Sequence, residues 1–155
     1  MRRLNPEYVK TIIDKVNGCP YFSLLSMEIG ELKPGSCRMA VDVQEKHLQP
    51  FGNVHGGVFS SLADATAFWA VYPQIDEGVG MTTVELKLNY LEPSNSGSLI
   101  GKGRSLRVGK TLCLGEAQIE DEQGRLLAHG TSTMMLLRDL RLTDEHKLPK
   151  KFLDE

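Results

Sequence analysis

The spacing of apolar residues predicts a helix near the start of the chain, over residues 5–17. Apolar side chains recur there at the three- and four-residue intervals of one helical stripe: Tyr8, Val9, Ile12, Ile13 and Val16. Asn5 can cap the first turn, Pro6 suits the first helical position, and Gly18 can end the helix. We expect this helix to pack across a larger body.

A second helix is predicted over residues 56–72, and it is apolar nearly all round. A helix without a polar face is buried within a domain. Pro73 ends it, because proline cannot continue the hydrogen-bond pattern of a helix. One residue interrupts its apolar character: Asp64 is the only charged residue between Val58 and Ile75.

Alternation of apolar and polar residues predicts strands on both sides of this helix. Residues 37–43 alternate before it, and Pro34-Gly35 marks the turn of a hairpin. Four further strands are predicted after it, over residues 81–91, 98–108, 111–119 and 125–137. We expect these four to form a meander within an α+β domain whose sheet covers the buried helix.

Bulk properties narrow the class of protein. A chain of 155 residues, 41% apolar and 25% charged, has the size and composition of one globular domain. Its net charge of −2 argues against general binding of nucleic acid. We find no apolar run that could span a membrane and no apolar segment of a signal peptide after Arg3, so we expect a cytoplasmic protein without a membrane partner. The tail over residues 139–155 is charged and is expected to be loosely held.

The metal-binding residue types show no pattern of a metal site. Cysteines are odd in number and widely spaced, which indicates free thiols in a reducing compartment: Cys19, Cys37 and Cys113. Three of the four histidines lie too far apart in the sequence to indicate a metal: His47, His55 and His129. We expect neither a metal nor a cofactor.

Candidate chemistry is concentrated where the buried helix begins, at His55-Gly56-Gly57. The first amides of a helix lack internal partners and carry the positive end of its dipole. Glycine lets a ligand approach the backbone closely, so a carbonyl oxygen docked there would be polarised and a developing oxyanion stabilised. Alternatively, the glycines only permit a tight entry into the helix.

Asp64 is the second candidate, because a buried carboxylate without a cation one turn away is costly unless it is functional. Alternatively, it is a structural residue that bonds to Ser60 or Thr66 or reaches solvent at a sheet edge. Gln49, a few residues before the glycines, could hold a water or a substrate carbonyl, although a loop glutamine is often only solvated.

The run Gly52-x-x-His55-Gly56-Gly57, with Asp64 seven residues after Gly57, resembles the hotdog-fold acyl-CoA thioesterases. The chain is most similar to the phenylacetate-degradation and thioesterase-superfamily-member-2 type, which is related to the Arthrobacter-type hydroxybenzoyl-CoA thioesterases. The resemblance spans residues 33–137. It implies one hotdog domain with its core over about residues 26–138, an antiparallel sheet around one long helix, and an extra N-terminal helix.

The resemblance also implies roles for individual residues. The N–H of Gly56 would polarise the thioester carbonyl, and Asp64 would act as nucleophile or as general base on water. Thr83 stands where relatives carry a Ser or Thr hydroxyl that orients the water, and His55 would support the loop. Gln49 stands where many relatives carry Asn, so its extra methylene is a departure from the family pattern.

Further residues are expected to contact the acyl-CoA substrate. Besides Gly57 and Asn53, we expect contacts from Phe68 and Thr82, although Phe68 could equally be part of the core. A basic stretch could meet the CoA phosphates or be a solvated strand edge: Lys102, Arg104, Arg107 and Lys110.

Two alternative functions use the same fold. Hotdog hydratases and dehydratases carry Asp-x-Asn-Pro-x-His or a His beside Phe-Pro, whereas this chain has His47-Leu48-Gln49-Pro50. A non-catalytic acyl-CoA sensor usually adds a DNA-binding region, and the first helix here has no helix-turn-helix partner.

The separation of Gly56 and Asp64 predicts a shared active site. Eight residues along one helix correspond to roughly 12 Å at about 1.5 Å per residue. An oxyanion donor and a catalytic carboxylate must both come within about 3 Å of the reacting groups. We therefore expect a homodimer or a dimer of dimers in which Gly56 of one chain faces Asp64 of the other, as the resemblance also implies.

Overall fold

A computed structural model of the protein describes residues 2–153. Within them, three α-helices are present: α1 (Pro6–Asn17), α2 (Pro20–Leu25) and α3 (Gly56–Val71). A two-residue strand near each end of the chain forms a small antiparallel ladder: β1 (Arg3–Leu4) and β8 (Phe152–Leu153). The remaining strands form one antiparallel sheet: β2 (Met27–Lys33), β3 (Ser36–Asp42), β4 (Gly80–Tyr90), β5 (Ser98–Val108), β6 (Leu112–Glu120) and β7 (Leu126–Leu137). None of the helices in residues 2–153 is both long and apolar enough to cross a membrane.

The central helix α3 packs directly on the middle of the sheet, which confirms the predicted α+β layout. Small residues on β5 and β6 make this close approach possible. A Cβ at Gly103 would lie 2.3 Å from the carbonyl oxygen of Thr66, and one at Gly115 would lie 2.8 Å from that of Ala67. The missing side chains let the helix backbone contact the sheet, so this face of α3 packs on the sheet without a gap.

One stripe of α3 is not covered by the sheet. Half-buried residues recur along it at intervals of three and four: Ser61, Asp64, Ala65 and Phe68. Their neighbours on the sheet side, Leu62 and Ala63 among them, are fully buried. The apolar composition of the helix predicted that the sheet would cover it on all sides. In the structure the sheet covers one face only, and this stripe faces a cavity.

The strand order differs from the expected meander. Strands β5, β6 and β7 pair in sequence, but β4 pairs with β7 instead of β5, in the order β2-β3-β5-β6-β7-β4. The connection over residues 91–97 therefore crosses the ends of two strands, about 14 Å at the usual strand spacing. Turn residues indicate where a chain reverses but not which strand it joins, so the sequence pattern could not reveal that β4 is an edge strand.

The N-terminal segment packs on β2. As predicted, α1 begins after Asn5, whose side chain accepts a hydrogen bond from the backbone N–H of Glu7, and Gly18 follows its last residue. The apolar stripe of α1 is buried: Tyr8, Ile12 and Val16. The short helix α2 was not predicted, because six residues are too few to show a helical period.

The C-terminal segment is held against the body, so the expectation of a loose tail is wrong. Lys151 is buried, and its Nζ donates to the carbonyl oxygens of Tyr72 at 2.7 Å and Ile75 at 2.8 Å. These carbonyls lie just beyond the end of α3, where helical carbonyls lack internal partners. The buried Lys151 side chain thus ties a charged segment to the end of the central helix.

Candidate active site

The carboxylate of Asp64 is held by hydroxyl groups from two neighbouring strands. The Thr83 hydroxyl on β4 donates to Asp64 Oδ1 at 2.8 Å, and the Ser132 hydroxyl on β7 donates to the same oxygen at 2.9 Å. Ser132 is fully buried. Both partners lie on the sheet under the helix, so the sheet fixes the position and the rotamer of the carboxylate.

The second oxygen of this carboxylate faces the cavity. Within residues 2–153, Asp64 Oδ2 has no hydrogen-bond donor, and no buried side-chain oxygen or nitrogen there lacks a partner. Oδ2 is therefore accessible. The two residues considered above as structural partners of Asp64 bond to other groups. The Ser60 hydroxyl donates to the carbonyl of Gly57, and the Thr66 hydroxyl donates to the carbonyl of Leu62.

Sequence reasoning missed Ser132. It stands in a run of small polar residues, Thr131-Ser132-Thr133, with nothing local that distinguishes it from its neighbours. Alternation along β7 turns Ser132 inwards and the two threonines outwards. Only the pairing of β7 with β4 brings its hydroxyl to the carboxylate oxygen that Thr83 also contacts.

A cavity of about 390 Å³ opens beside Asp64. Its walls are mostly apolar, with Phe68 and Trp69 from α3 and Leu86 from β4. Small residues of α3 also line it, and the remaining wall comes from Tyr21 and Phe22 on the unpredicted helix α2 and from Met27 at the start of β2. The predicted contact residue Phe68 therefore lines the same cavity as Asp64. Thr82 does not line it, and alternation along β4 turns the Thr82 side chain to the face opposite to that of Thr83.

The start of α3 is capped by His55. Its Nδ1 accepts the backbone N–H of Gly57 at 2.7 Å, which supports the loop and leaves that amide unavailable to a substrate. The amide of Gly56, the first of the helix, has no acceptor within residues 2–153. A Cβ at Gly56 would lie 3.3 Å from the Tyr90 ring, whose hydroxyl donates to the Gly56 carbonyl at 3.2 Å. One free helical amide is thus presented beside an aromatic ring.

A separate cavity of about 300 Å³ contains this amide. Gln49, Asn53 and Gly56 all line it, so the structure brings these three predicted residues together. The Gln49 side-chain oxygen accepts the backbone N–H of Phe51, and the backbone N–H of Gln49 donates to the Asn53 carbonyl at 2.8 Å. Asp64 is not part of this cavity, so in one chain the amide and the carboxylate lie in different depressions.

The basic residues considered as contacts of the CoA phosphates do not lie together at one site. Arg104 donates through Nη2 to Glu116 at 2.6 Å, and His129 lies 2.8 Å from the same carboxylate. These two partners lower the pKa of Glu116. Lys102 pairs with Glu120, while Lys110 lines a third cavity of about 710 Å³ at the turn between β5 and β6. Arg107 lies near the end of β5, and none of these residues lines the Asp64 cavity.

His47 has a structural role. It is buried, its Nδ1 accepts the backbone N–H of Gln44 at 2.9 Å, and its Nε2 lies 2.7 Å from the Leu25 carbonyl. It thereby ties the loop before α3 to the end of α2. Across residues 2–153 no three His, Cys, Asp or Glu side chains are grouped as metal ligands would be.

Comparison with known proteins places this site in context. The family model of the thioesterase superfamily matches residues 51–128, about half of the chain, and includes Gly56, Asp64 and Thr83. A proofreading thioesterase, EntH, of Klebsiella pneumoniae is 31% identical over 94 residues, which cover 61% of this chain and 69% of that protein. A 1,4-dihydroxy-2-naphthoyl-CoA hydrolase of Listeria monocytogenes is 28% identical, with coverage of 71% and 89%.

Solved structures agree on the fold. A thioesterase family protein from Silicibacter pomeroyi superimposes with a TM-score of 0.76 at 26% identity, covering 84% of this chain and 98% of that one. The antiparallel sheet around one long helix is the hotdog fold that the glycine and aspartate motif implied. Fold, motif and sequence comparison converge: the chain belongs to the thioesterase superfamily.

Proposed function

We propose that this protein hydrolyses acyl-CoA thioesters to a free acid and CoA. One observation carries the proposal: Asp64 Oδ1 is held by two hydroxyls while Oδ2 faces an apolar cavity of about 390 Å³. A carboxylate oriented in this way can act on a thioester carbonyl whose acyl chain lies in the cavity. The thioesters in the names of relatives, and CoA in one of them, point to the same substrate class.

The chemistry needs only residues of the chain and water. As general base, Asp64 takes a proton from water as the new C–O bond forms on the acyl carbon. The resulting oxyanion collapses, the C–S bond breaks, and the CoA thiolate leaves and is protonated. As nucleophile, Asp64 itself forms the bond, and water then hydrolyses the acyl-aspartyl anhydride. Neither path requires a metal or a redox cofactor.

Stabilisation of the oxyanion is assigned to the Gly56 amide. This donor has no acceptor within residues 2–153 and lies at the positive end of the α3 dipole. Gln49, in the same cavity, is suited to hold the leaving group or a water. His55 keeps the helix start in shape by capping Gly57.

A complete site requires two chains under this proposal. Gly56 and Asp64 lie in different cavities of one chain, and helix geometry keeps them roughly 12 Å apart. β4 is an edge strand of 11 residues, and Val84 and Tyr90 on it are both more than half exposed. An exposed long edge is a template for pairing with a second copy. A dimer, or a dimer of dimers, would cover it and could bring one chain's Gly56 to the other's Asp64.

The proposed experiment measures release of free thiol from short, long and aromatic acyl-CoAs by the purified protein. Hydrolysis with turnover supports the proposal. Hydration of an enoyl-CoA without thiol release would show a hydratase instead, and tight acyl-CoA binding without either reaction would show a sensor. Light scattering on the same sample reports whether the active species is a dimer.

Binding of the CoA phosphates is tested with Arg107→Ala and Lys110→Ala. Both substitutions should raise KM and leave kcat unchanged.

A further inference from the structure

The short helix α2 forms the outer wall of the Asp64 cavity. Tyr21 and Phe22 are adjacent on it but differ in environment, since Tyr21 is 53% exposed and Phe22 only 7%. Phe22 is anchored in the core, whereas Tyr21 lies across the opening of the cavity, and both line it. The wall is therefore fixed on one side and solvent-exposed on the other.

A hydrogen bond joins this wall to the half-buried stripe of α3. The Tyr21 hydroxyl lies 2.6 Å from the Ser61 hydroxyl. Ser61 precedes Asp64 by three residues and Phe68 by seven, so all three lie on the same helical stripe. Within the cavity, Tyr21 is consequently placed over the side of α3 that also carries the carboxylate.

The opposite wall of the cavity is rigid and aromatic. Phe68 and Trp69 meet edge to face with ring centroids 5.3 Å apart, and Phe68 stacks on Tyr72 at 6.0 Å. Trp69 and Tyr72 are buried, so this wall has little room to yield. An acyl chain whose carbonyl lies at Asp64 would run between the aromatic wall and Tyr21, which at 53% is the most exposed of the residues that line the cavity.

From this geometry we infer that Tyr21, held by Ser61, is a specificity-determining residue that limits the length of the acyl group. The inference rests on the proposed function. Removing the ring would extend the cavity towards solvent and make room for longer chains. Removing only the hydroxyl, or its Ser61 partner, would release the ring without removing it and would shift the preference by less.

The test compares kcat/KM over a series of saturated acyl-CoAs from acetyl to palmitoyl. For Tyr21→Ala we expect the ratio of long-chain to short-chain kcat/KM to rise by about tenfold or more, since one methylene in an apolar pocket is worth about 10–200-fold. Tyr21→Phe and Ser61→Ala should shift this ratio in the same direction, by less and by similar amounts. Leu24→Ala, an exposed position on α2 that does not line the cavity, is the matched control and should leave the ratio unchanged.

The outcomes separate this inference from the proposed function. If wild-type protein releases thiol but the chain-length ratio is the same in folded Tyr21→Ala, the role of Tyr21 is refuted and the thioesterase proposal stands. If wild-type protein hydrolyses no acyl-CoA, both are overturned. Should Tyr21→Ala not fold, an unchanged ratio in both Tyr21→Phe and Ser61→Ala overturns the inference. A ratio is used because a loss of active protein lowers every rate equally.

Discussion

Asp64 and Thr83 join the central helix to an edge strand through a hydrogen bond of 2.8 Å between Thr83 Oγ1 and Asp64 Oδ1. The bond crosses from the half-buried stripe of α3 to β4, the strand whose outer edge is unpaired within residues 2–153. Whatever pairs with that edge therefore lies close to the carboxylate. This relationship connects the chemistry of the site to the assembly of the protein.

The first prediction concerns the carboxylate. Asp64→Asn keeps the volume and both hydroxyl contacts of the side chain but removes the base or nucleophile. We expect turnover to fall by roughly a hundredfold or more, in the range of acid–base contributions, with little change in thermal stability. Steady-state thiol release checks the rate, and the exposed Asp14→Asn on α1 serves as control. Near-normal turnover in folded Asp64→Asn would refute the role of Asp64.

The two hydroxyls that hold Asp64 should contribute less than the carboxylate itself. We expect Thr83→Ala to lower kcat about tenfold, equivalent to about 1.4 kcal/mol. Thr83→Val, which keeps the shape but not the donor, should have a similar effect, measured with the same substrates. A silent Thr83→Ala together with a destabilised Thr83→Val would identify Thr83 as a packing residue only.

Shared active sites can be tested by mixing two inactive chains. Gly56→Pro removes the proposed oxyanion donor at the first helical position, which tolerates proline. Mixed with Asp64→Asn chains, it should form heterodimers with one active site out of two, because one site then combines an intact Gly56 with an intact Asp64. Gly56→Ala keeps the N–H and adds the Cβ that meets Tyr90, so it controls for crowding. Demonstrated heterodimers without recovered thiol release, or an active monomer, would contradict the shared-site proposal.

Lys151 should make the stability of the fold depend on pH. Burial lowers the pKa of Lys151 from 10.5 to about 7 in the folded protein. Between these values the unfolded chain binds more protons at this site than the folded one, so its contribution to the free energy of unfolding rises with pH. In urea unfolding, the free energy of unfolding of the wild type should increase relative to that of Lys151→Met between about pH 7 and about pH 9. This range lies below the ordinary pKa of tyrosine.

The control for this prediction is Lys10→Met, at an exposed position on α1. Its stability difference from the wild type should not vary over the same range, because an exposed lysine has nearly the same surroundings in both states. A Lys151→Met difference that is equally constant would mean that Lys151 binds its proton equally well in the folded and unfolded chains.

Local pattern was sufficient for the elements and for the candidate carboxylate. Helical spacing predicted α1 and α3, and alternation predicted β3 and the four later strands, because the periods of helix and strand are properties of adjacent residues. Asp64 was conspicuous because it is the one charge in an apolar helix. The separation of Gly56 and Asp64 also follows from sequence, since helical rise per residue is constant.

Only the tertiary structure decided which residues from distant parts of the sequence contact one another. The pairing of β4 with β7 brings the hydroxyls of Ser132 and Thr83 to the same oxygen of Asp64, and their separation in the sequence leaves no periodic pattern. The position of α2 over the Asp64 cavity and the burial of Lys151 against the end of α3 likewise depend on contacts between distant segments. A sequence pattern records how each residue relates to its neighbours along the chain. Which oxygen of Asp64 is held and which faces a cavity depends on packing between segments that the chain brings together only when it folds.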